Sequence, residues 1–430
     1  MKKQIPFYLV LPVLFACNNN QGQQSDDVVA RAQAIHENVI TMDTHVDIEP
    51  SNFTDSINYT QDLNTQVNLP KMNEGGLDVV WFSVYTGQGD LDQAGYDKAY
   101  QNAIAKFDAI HWFTEEYAPD QMGLAVTSEE ARKLVAEGKK VAFIGVENGY
   151  PVGEDINRVK EFWELGARYM SLAHNGHSQL SDSNTGEKDS VWLNDGLSEL
   201  GTQVVHEMNK YGMMIDISHP SKKAMRDILD ITTAPIIASH SGARALCDHS
   251  RNLDDEQLEW IKENGGVVQT VAFAGYVNIE KTQKMNALVK QAYEDGAKAM
   301  GFEILRGADL RALSETDRAA YDAQYETLST QIKPKIDSLY ANGDPVNVSD
   351  FVDHIDYMVD KIGIDHVGIS SDFDGGGGIY GWNDASESFN VTLELVKRGY
   401  NEEEIGKLWS GNLFRVLDAV EAAATYKEQE

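Results

Sequence analysis

The sequence predicts an α/β protein that folds as a (β/α)₈ TIM barrel, with a helical insertion between its seventh and eighth strands. Two observations predict this fold. Short apolar runs, most of them continuous rather than alternating, are separated by segments with helical spacing of apolar residues, which is typical of a parallel sheet covered by helices. There are eight such runs, the number that closes a barrel. An open doubly wound sheet is the alternative, but no Gly-rich phosphate loop favours it.

The elements follow from these runs in chain order. The predicted strands are Val39–Asp43, Leu77–Tyr85, Lys140–Glu147, Arg168–His174, Gly212–His219, Pro235–His240, Gly266–Phe273 and His366–Asp372. Helices are predicted between them at Glu129–Glu137, Leu197–Lys210, Ser221–Leu229, Asp254–Asn264 and Phe351–Ile362. Thr127 and Glu130 form a capping-box pattern before the first of these helices. Asn401 is placed to cap a C-terminal helix.

The predicted barrel domain covers residues 28–430, but residues 279–346 do not fit its alternation of strands and helices. This segment is long, polar and mostly helical in composition. Because it follows a strand, we interpret it as an insertion in a βα loop, on the face of the barrel that carries active sites. It would serve there as a lid, or else as a structural appendage or dimer contact, and both interpretations stay open. A homodimer is a further expectation.

The first 17 residues have the pattern of a bacterial lipoprotein signal peptide. Two lysines precede an apolar stretch, Ile5–Ala16, that is too short to span a bilayer. Cleavage would leave Cys17 as a lipid-bearing first residue, whereas the alternative is an ordinary signal peptide with a chance cysteine. Residues 18–27 have no apolar content and predict a flexible tether. We therefore expect an exported lipoprotein, anchored to a membrane in the periplasm or at the cell surface.

The charge and the cysteines exclude several classes of function. The formal net charge is −32, which argues against nucleic-acid binding because phosphate recognition needs clustered Lys and Arg. Cys17 and Cys247 lie far apart in the sequence, so we expect neither a disulfide framework nor a Cys-based metal site. A soluble, self-repelling surface is the simplest interpretation of the charge.

Residues that can bind metal ions stand at the ends of six predicted strands. They are His45, Asp47, Glu147, His174, His219, His240 and Asp372. The C-terminal ends of barrel strands share one face, which holds the active site. A single histidine at such an end is more often a packing residue, and a single carboxylate often caps a helix, but six such ends together predict a site. Imidazole and carboxylate suit Zn²⁺, and also Mn²⁺, Fe²⁺ or Co²⁺. The set suffices for two ions that share a carboxylate, and such a pair performs hydrolytic chemistry.

From about Val39 to Val416 the chain resembles the membrane (renal-type) dipeptidase family, a group of zinc peptidases among the amidohydrolase-like barrels. The motifs that carry the resemblance are Asp43–Asp47, Gly145–Glu147, Leu172–His174, Asn194–Gly201, Ile215–His219, Ser239–Ser241, Arg244–Asn252, Ser371–Gly375 and Gly411–Val416. The resemblance implies a dipeptidase that acts on free dipeptides, including some with a C-terminal D-residue. Two zinc ions per chain would be its cofactors.

The resemblance also implies the roles of individual residues. His45, Asp47 and Glu147 would bind the first zinc ion. Glu147 would bridge to the second ion, which His219 and His240 complete. A hydroxide between the ions would then attack the peptide carbonyl.

Three further residues would act on the substrate by the same resemblance. His174 would stabilise the developing oxyanion, and Arg251 would bind the C-terminal carboxylate of the dipeptide. Asp372 would take the proton of the nucleophile and deliver it to the leaving amine. Taken without the resemblance, Arg251 would be interpreted as a surface ion pair.

Two other functions stay open. The first is a different amidohydrolase on the same barrel, such as a deacylase of N-acyl amino acids, which would also use a residue that binds a free carboxylate. The second is a lipid-anchored binding protein that holds the metals without activity. Asp372 speaks against the second, since a structural site needs no such carboxylate beside its ligands.

Overall fold

The computed structural model describes residues 20–426. Its strands are β1 (Met42–Asp47), β2 (Val79–Tyr85), β3 (Met122–Leu124), β4 (Lys140–Glu147), β5 (Ala167–Ser171), β6 (Met214–Asp216), β7 (Ile237–Ser241), β8 (Val267–Val271) and β9 (Val367–Ser370). Its α-helices are α1 (Asn20–Asn38), α2 (Leu69–Gly75), α3 (Gln93–Trp112), α4 (Ser128–Ala136), α5 (Asn157–Glu164), α6 (Glu199–Tyr211), α7 (Lys222–Ile231), α8 (Asp255–Asn264), α9 (Ala274–Val277), α10 (Ile279–Met300), α11 (Gly307–Arg311), α12 (Glu315–Asn342), α13 (Val348–Ile362), α14 (Phe389–Arg398), α15 (Glu402–Gly406) and α16 (Asn412–Ala423).

The strands form a nearly closed parallel barrel. Eight of them follow one another in the order β1-β2-β4-β5-β6-β7-β8-β9, while the short β3 pairs with β4 outside this path. The chain beyond β9 returns to β1, where the backbone N–H of Asp47 donates to the carbonyl oxygen of Phe373 at 2.9 Å. This architecture confirms the predicted barrel.

The structure differs from the predicted strands most at β1 and β3, besides shifts of a few residues at other strand ends. The first strand was predicted at Val39–Asp43, but β1 covers Met42–Asp47, because the polar residues of this segment line the site instead of ending the strand. β3 was not predicted, since it has only three residues and pairs with a single neighbour.

Alternate residues of each strand pack into two different cores, as the pleat of a strand requires. In β2, Trp81 faces the barrel interior, where its ring stacks on that of Phe143 with centroids 4.4 Å apart. The neighbouring Phe82 packs instead in the larger core between strands and helices. Phe414 of α16 belongs to the interior cluster and closes one end of the barrel. The barrel is therefore filled, and only the opposite end is open for a site.

The predicted insertion lies where the sequence places it, between β8 and β9. It consists of α10, α11 and α12 and has its own small core around Ala297, Leu328 and Ile332. The helical insertion between the seventh and eighth barrel strands is thus confirmed.

The N-terminal predictions have two outcomes. The segment predicted as a flexible tether, residues 18–27, is helical from Asn20 onwards, which corrects that prediction. Ala32, Ile35 and His36 bury one side of α1, and a helix anchored in this way extends at little cost per residue. Cys17 lies outside the described residues. Within residues 20–426 we find no helix that combines the length and the apolar character needed to cross a membrane.

Candidate active site and metal centre

The seven predicted metal-capable residues lie together at the open end of the barrel. His45 and Asp47 belong to β1, Glu147 is the last residue of β4, and His240 lies within β7. The other three follow their strands in short extensions: His174 after β5, His219 after β6 and Asp372 after β9.

The carboxylate of Glu147 lies at the centre of four imidazoles. Its Oε1 is 2.9 Å from Nε2 of His219, 3.5 Å from Nε2 of His240 and 3.6 Å from Nε2 of His174. Its Oε2 is 3.3 Å from Nε2 of His45. Burial alone would raise the pKa of Glu147, but His45 and His174 hold it well below its usual range. Glu147 is therefore an ionised carboxylate, and its two oxygens lie next to different imidazoles.

Hydrogen bonds fix the orientation of His45. Its Nδ1 is 3.0 Å from the hydroxyl oxygen of Tyr169, and that hydroxyl donates to the carbonyl oxygen of Thr44 at 3.2 Å. The Tyr169 oxygen therefore accepts the Nδ1 proton, and Nε2 presents its lone pair to the site. Tyr169 lies in the barrel interior, and a glycine faces it: a Cβ atom at Gly145 would lie 1.9 Å from the tyrosine ring.

A second chain of hydrogen bonds orients His240. The hydroxyl of Ser239 donates to Oδ2 of Asp216 at 2.7 Å, so its oxygen accepts from Nδ1 of His240 at 2.8 Å. Oδ1 of Asp216 also accepts from the backbone N–H and the hydroxyl of Ser218, at 3.0 and 2.7 Å. This buried carboxylate leaves Nε2 of His240 unprotonated, which is the form that binds a metal ion.

The donor atoms fit divalent metal ions. Three sets of possible ligands converge, each within 4.8 Å: His45, Glu147 and His240; Glu147, His174 and His219; and His45, Asp47 and Asp372. Nε2 of His219 and Nε2 of His240 face each other at 3.1 Å, and two such lone pairs are best satisfied by a cation. Nε2 of His45 and Oδ1 of Asp47 are buried and accept no hydrogen bond from any described residue.

Electrostatics favour positive charge on one side of this site. Burial lowers the pKa of His45, but Glu147 outweighs burial and raises it to about 10. The carboxylates therefore hold a cation here, whether a proton or a metal ion. On the other side, burial holds the pKa of His219 and of His240 well below the usual value, so both imidazoles are neutral and able to bind a metal ion.

Asp372 is a carboxylic acid held in an unusual backbone conformation. Its φ is 61°, in the left-handed region that costs most residues energy but is tolerated by Asp and Asn. Burial raises its pKa to about 8, so it can both release and accept a proton near neutral pH. The chain approaches closely here, since a Cβ atom at Gly375 would lie 2.3 Å from Oδ1 of Asp372 and 2.6 Å from Oδ2 of Asp47. Only glycine allows both carboxylates to face the site.

Arg251 is buried beside the histidines, which excludes the surface ion pair. Its Nη2 donates to the carbonyl oxygen of His240 at 3.1 Å, and its Nη1 donates to that of Ser218. Its guanidinium lies over the ring of Tyr276, 5.4 Å from the centroid. Nε has no acceptor among the described residues. The backbone thus fixes the guanidinium while part of its fork stays free to bind an anion.

These side chains line one cavity of about 200 Å³, which we call the metal cavity. Its lining residues include Asp47, Tyr85, Glu147, His174, His219, His240, Arg251, Tyr276 and Asp372. His174 lies at its edge, with its ring 4.7 Å from that of Tyr85 and 4.2 Å from that of His219. The size suits a small substrate, and the lining combines metal ligands, a protonatable carboxyl group and a cation.

Comparison with known proteins decides the family. The model of the membrane dipeptidase family, peptidase family M19, matches residues 29–430. The chain belongs to this family. It is therefore a metal-dependent dipeptidase, and both the predicted resemblance and the prediction of an enzyme are confirmed.

Individual relatives agree with this membership. Dipeptidase tcpJ of Claviceps purpurea is 28% identical over 370 residues, covering 85% of this chain and 72% of the relative. Dipeptidase 3 of Homo sapiens is 28% identical over 403 residues, covering 92% and 68% of the two chains. The crystal structure of the probable dipeptidase PvdM from Pseudomonas aeruginosa superposes with a TM-score of 0.75 at 31% identity, covering 93% of this chain and all of that one.

The sequence analysis did not identify the residues that orient the candidate metal ligands of this dipeptidase. Asp216 and Ser239 were quoted within motifs but given no role, and Tyr169 was not singled out. One feature of the sequence could have identified Asp216: it is a charged residue inside an apolar strand, in the run from Met213 to Ile217.

Proposed function

We propose that the chain is a binuclear zinc dipeptidase, with Glu147 bridging the two ions. His45 and Asp47 complete the first zinc site, and His219 and His240 complete the second. The observation that carries this proposal is the convergence of imidazoles on both oxygens of one buried carboxylate. When bound, two such ions activate a water molecule at neutral pH and polarise the carbonyl group of the substrate.

Arg251 binds the C-terminal carboxylate of the dipeptide in this proposal. A guanidinium fixed by two backbone carbonyls loses little freedom when it binds a carboxylate. The cavity of about 200 Å³ leaves little room between this anchor and the metal ligands. The peptide bond next to the C-terminal residue is therefore the one placed for cleavage, whether that residue is of the L or the D form.

His174 and Asp372 act on the bond that is cleaved. His174 lies 3.6 Å from Oε1 of Glu147 at the cavity edge, where its N–H can donate to the oxygen that gains negative charge. Asp372 takes the proton from the attacking water and passes it to the leaving amine. Its buried carboxyl group lines the same cavity as the proposed metal ligands, where it can accept a proton from the water and release it to the amine.

We further propose that Cys17 carries a lipid and anchors an exported protein to a membrane, in the periplasm or at the cell surface. The signal-like pattern of the first 17 residues supports this proposal. Radiolabelled palmitate incorporated by the wild type but not by Cys17→Ala would test it. A homodimer also stays a prediction, and the molar mass in solution tests it.

Hydrolysis assays test the catalytic proposal. Purified protein lacking residues 1–17 is given L-L and L-D dipeptides, matched tripeptides and N-acyl amino acids, with and without a chelator and added Zn²⁺. Chelator-sensitive cleavage of dipeptides but not tripeptides, with two zinc ions per chain, is expected. Cleavage of N-acyl amino acids alone would favour a deacylase, and no hydrolysis by the zinc-loaded protein would favour a binding protein.

A further inference from the structure

Lys106 is a buried lysine on the apolar face of α3. Ala99, Ala103, Phe107 and Ile110 form the buried face of this helix, and Lys106 lies among them with only 3% of its surface exposed. Lysine is rarely buried to this extent unless it is paired. Among the described residues, no acceptor forms a hydrogen bond or an ion pair with its ammonium group. Its Nζ lies 5.4 Å from the centroid of the Tyr85 ring, and its charge interacts at longer range with the carboxylate of Asp47.

Lys106 lines a cavity of about 310 Å³ next to the metal cavity. We call it the side cavity and define it by Asp47, Glu49, Tyr59, Tyr85, Lys106 and Asp374. Asp47 and Tyr85 line both cavities, so the two are adjacent at the wall that these side chains share. A group bound at the metal ions can therefore extend towards the ammonium of Lys106.

The side cavity lies across the barrel from Arg251. Lys106 belongs to the helix that follows β2, and Arg251 lies in the segment that follows β7. In the ring of eight strands β2 is second and β7 is sixth, so the two are diametrically opposed. A dipeptide whose C-terminal carboxylate binds Arg251 therefore directs its N-terminal residue towards Lys106.

We propose that Lys106 binds the side-chain carboxylate of the N-terminal residue, so that the enzyme prefers dipeptides that begin with Glu or Asp. This inference rests on the proposed dipeptidase function and on the role of Arg251. An ammonium group that lines a cavity and has no hydrogen-bond acceptor gains most from a ligand that supplies a carboxylate, because charge-assisted hydrogen bonds are stronger than neutral ones.

The carboxylates already present in the side cavity do not fulfil this role. Asp374 accepts from the backbone N–H groups of Gln66 and Val67, at 2.9 and 3.3 Å, so its oxygens are already hydrogen-bonded. Glu49 is exposed, and solvent screens its charge. Asp47 interacts electrostatically with Lys106 but lies beyond ion-pair distance of its ammonium group, and in the proposed function Asp47 is a zinc ligand.

The test compares L-Glu-L-Ala with L-Gln-L-Ala, which have nearly the same shape and differ in one charge. Zinc-loaded wild type should show a kcat/KM about tenfold higher for Glu-Ala, since a hydrogen bond to a charged group is worth roughly this factor or more. Lys106→Met should lower kcat/KM for Glu-Ala about tenfold more than for Gln-Ala, chiefly through KM. Lys106→Arg should retain the preference.

Lys98→Met is the matched control, because Lys98 is an exposed lysine on the same helix. Lys98→Met removes the same charge from the exposed side of the helix, so the preference for Glu-Ala over Gln-Ala should remain. Equal kcat/KM values for Glu-Ala and Gln-Ala in the wild type would overturn the inference, as would an equal loss on both substrates in Lys106→Met. Hydrolysis of neither substrate by the zinc-loaded wild type would overturn the proposed dipeptidase function itself, and this inference with it.

Discussion

Replacing Ser239 with alanine tests whether the hydrogen-bond chain from Asp216 prepares His240 as a metal ligand. The serine hydroxyl is the only link in this chain between the buried carboxylate and the imidazole, with bonds of 2.7 and 2.8 Å. Without it, Nδ1 of His240 has no acceptor, and the proton can move to Nε2, the atom that faces Glu147. We therefore expect Ser239→Ala to bind zinc more weakly while keeping every proposed metal ligand.

The size of the effect follows from the bonds that are lost. Removal of the hydroxyl leaves one oxygen of Asp216 and one N–H of His240 buried without a partner. A hydrogen bond to a charged group is worth about 1.5–3 kcal/mol and a neutral one about 1 kcal/mol, so the free energy of unfolding should fall by about 2–4 kcal/mol. Loss of a group that orients a ligand typically weakens metal binding about 10- to 100-fold, and we expect a zinc Kd raised by this factor.

The assay is competition for zinc with a chelator of known affinity, together with kcat measured at saturating zinc. Ser218→Ala is the matched control, because its hydroxyl donates to the same carboxylate at 2.7 Å and accepts from the backbone N–H of His240 at 3.1 Å, without touching the imidazole ring. This control should lose stability but keep its zinc affinity within about threefold. A zinc Kd for Ser239→Ala equal to that of the wild type would refute the reasoning.

Three further predictions concern the proposed catalytic acid, the proposed bridging ligand and a buried histidine. Asp372→Asn should bind zinc normally and keep its backbone, since Asn tolerates a φ of 61°, but its kcat should fall about 10²- to 10⁴-fold; near-normal turnover would contradict the acid–base role. Glu147→Gln should hold fewer than two zinc ions per chain, because an amide supplies one acceptor atom where the carboxylate supplies two; elemental analysis that finds two ions would exclude the bridge. His354 accepts from the backbone N–H of Ala243 and donates to the carbonyl oxygen of Val277, both at 3.0 Å, and burial lowers its pKa. Below about pH 6.5 the unfolded chain therefore binds a proton on His354 that the folded chain does not bind. The contribution of the neutral, buried His354 to the free energy of unfolding is thus present above that pH and is lost as the pH falls. Between pH 7.5 and 5.5 the wild type should lose more unfolding free energy than His354→Gln in urea titrations, and equal losses would argue against this role.

The sequence was sufficient to predict the barrel and to bring seven metal-capable residues to one end of it. This prediction succeeded because parallel barrel strands end on one face. A polar residue after each apolar run can therefore be placed on that face without knowing which residues it contacts. Strand ends were less accurate. His174 and His219 were assigned to strands, but β5 ends at Ser171 and β6 at Asp216, because the pairing with the neighbouring strands stops at these residues.

The residues that orient the ligands could not be predicted in the same way. Tyr169 lies 124 positions from its partner His45 in the sequence, and no sequence pattern around either residue indicates that the two are in contact. Ser239 depends on Asp216, which lies on a neighbouring strand. Such pairs depend on which side chains face each other across the barrel interior, and this is set by strand register and packing rather than by periodicity.

The metal centre also has a cost for the fold. Asp47, Glu147 and Asp372 lie close together in a buried site, and among the described residues that line this cavity only Arg251 carries a permanent positive charge. Burial makes each unpaired carboxylate unfavourable, and this is why the pKa of Asp372 is raised to about 8. Two divalent ions would remove most of this repulsion. We therefore expect folding to be coupled to metal binding, because the charges that the proposed chemistry needs would destabilise the protein until metal ions bound there.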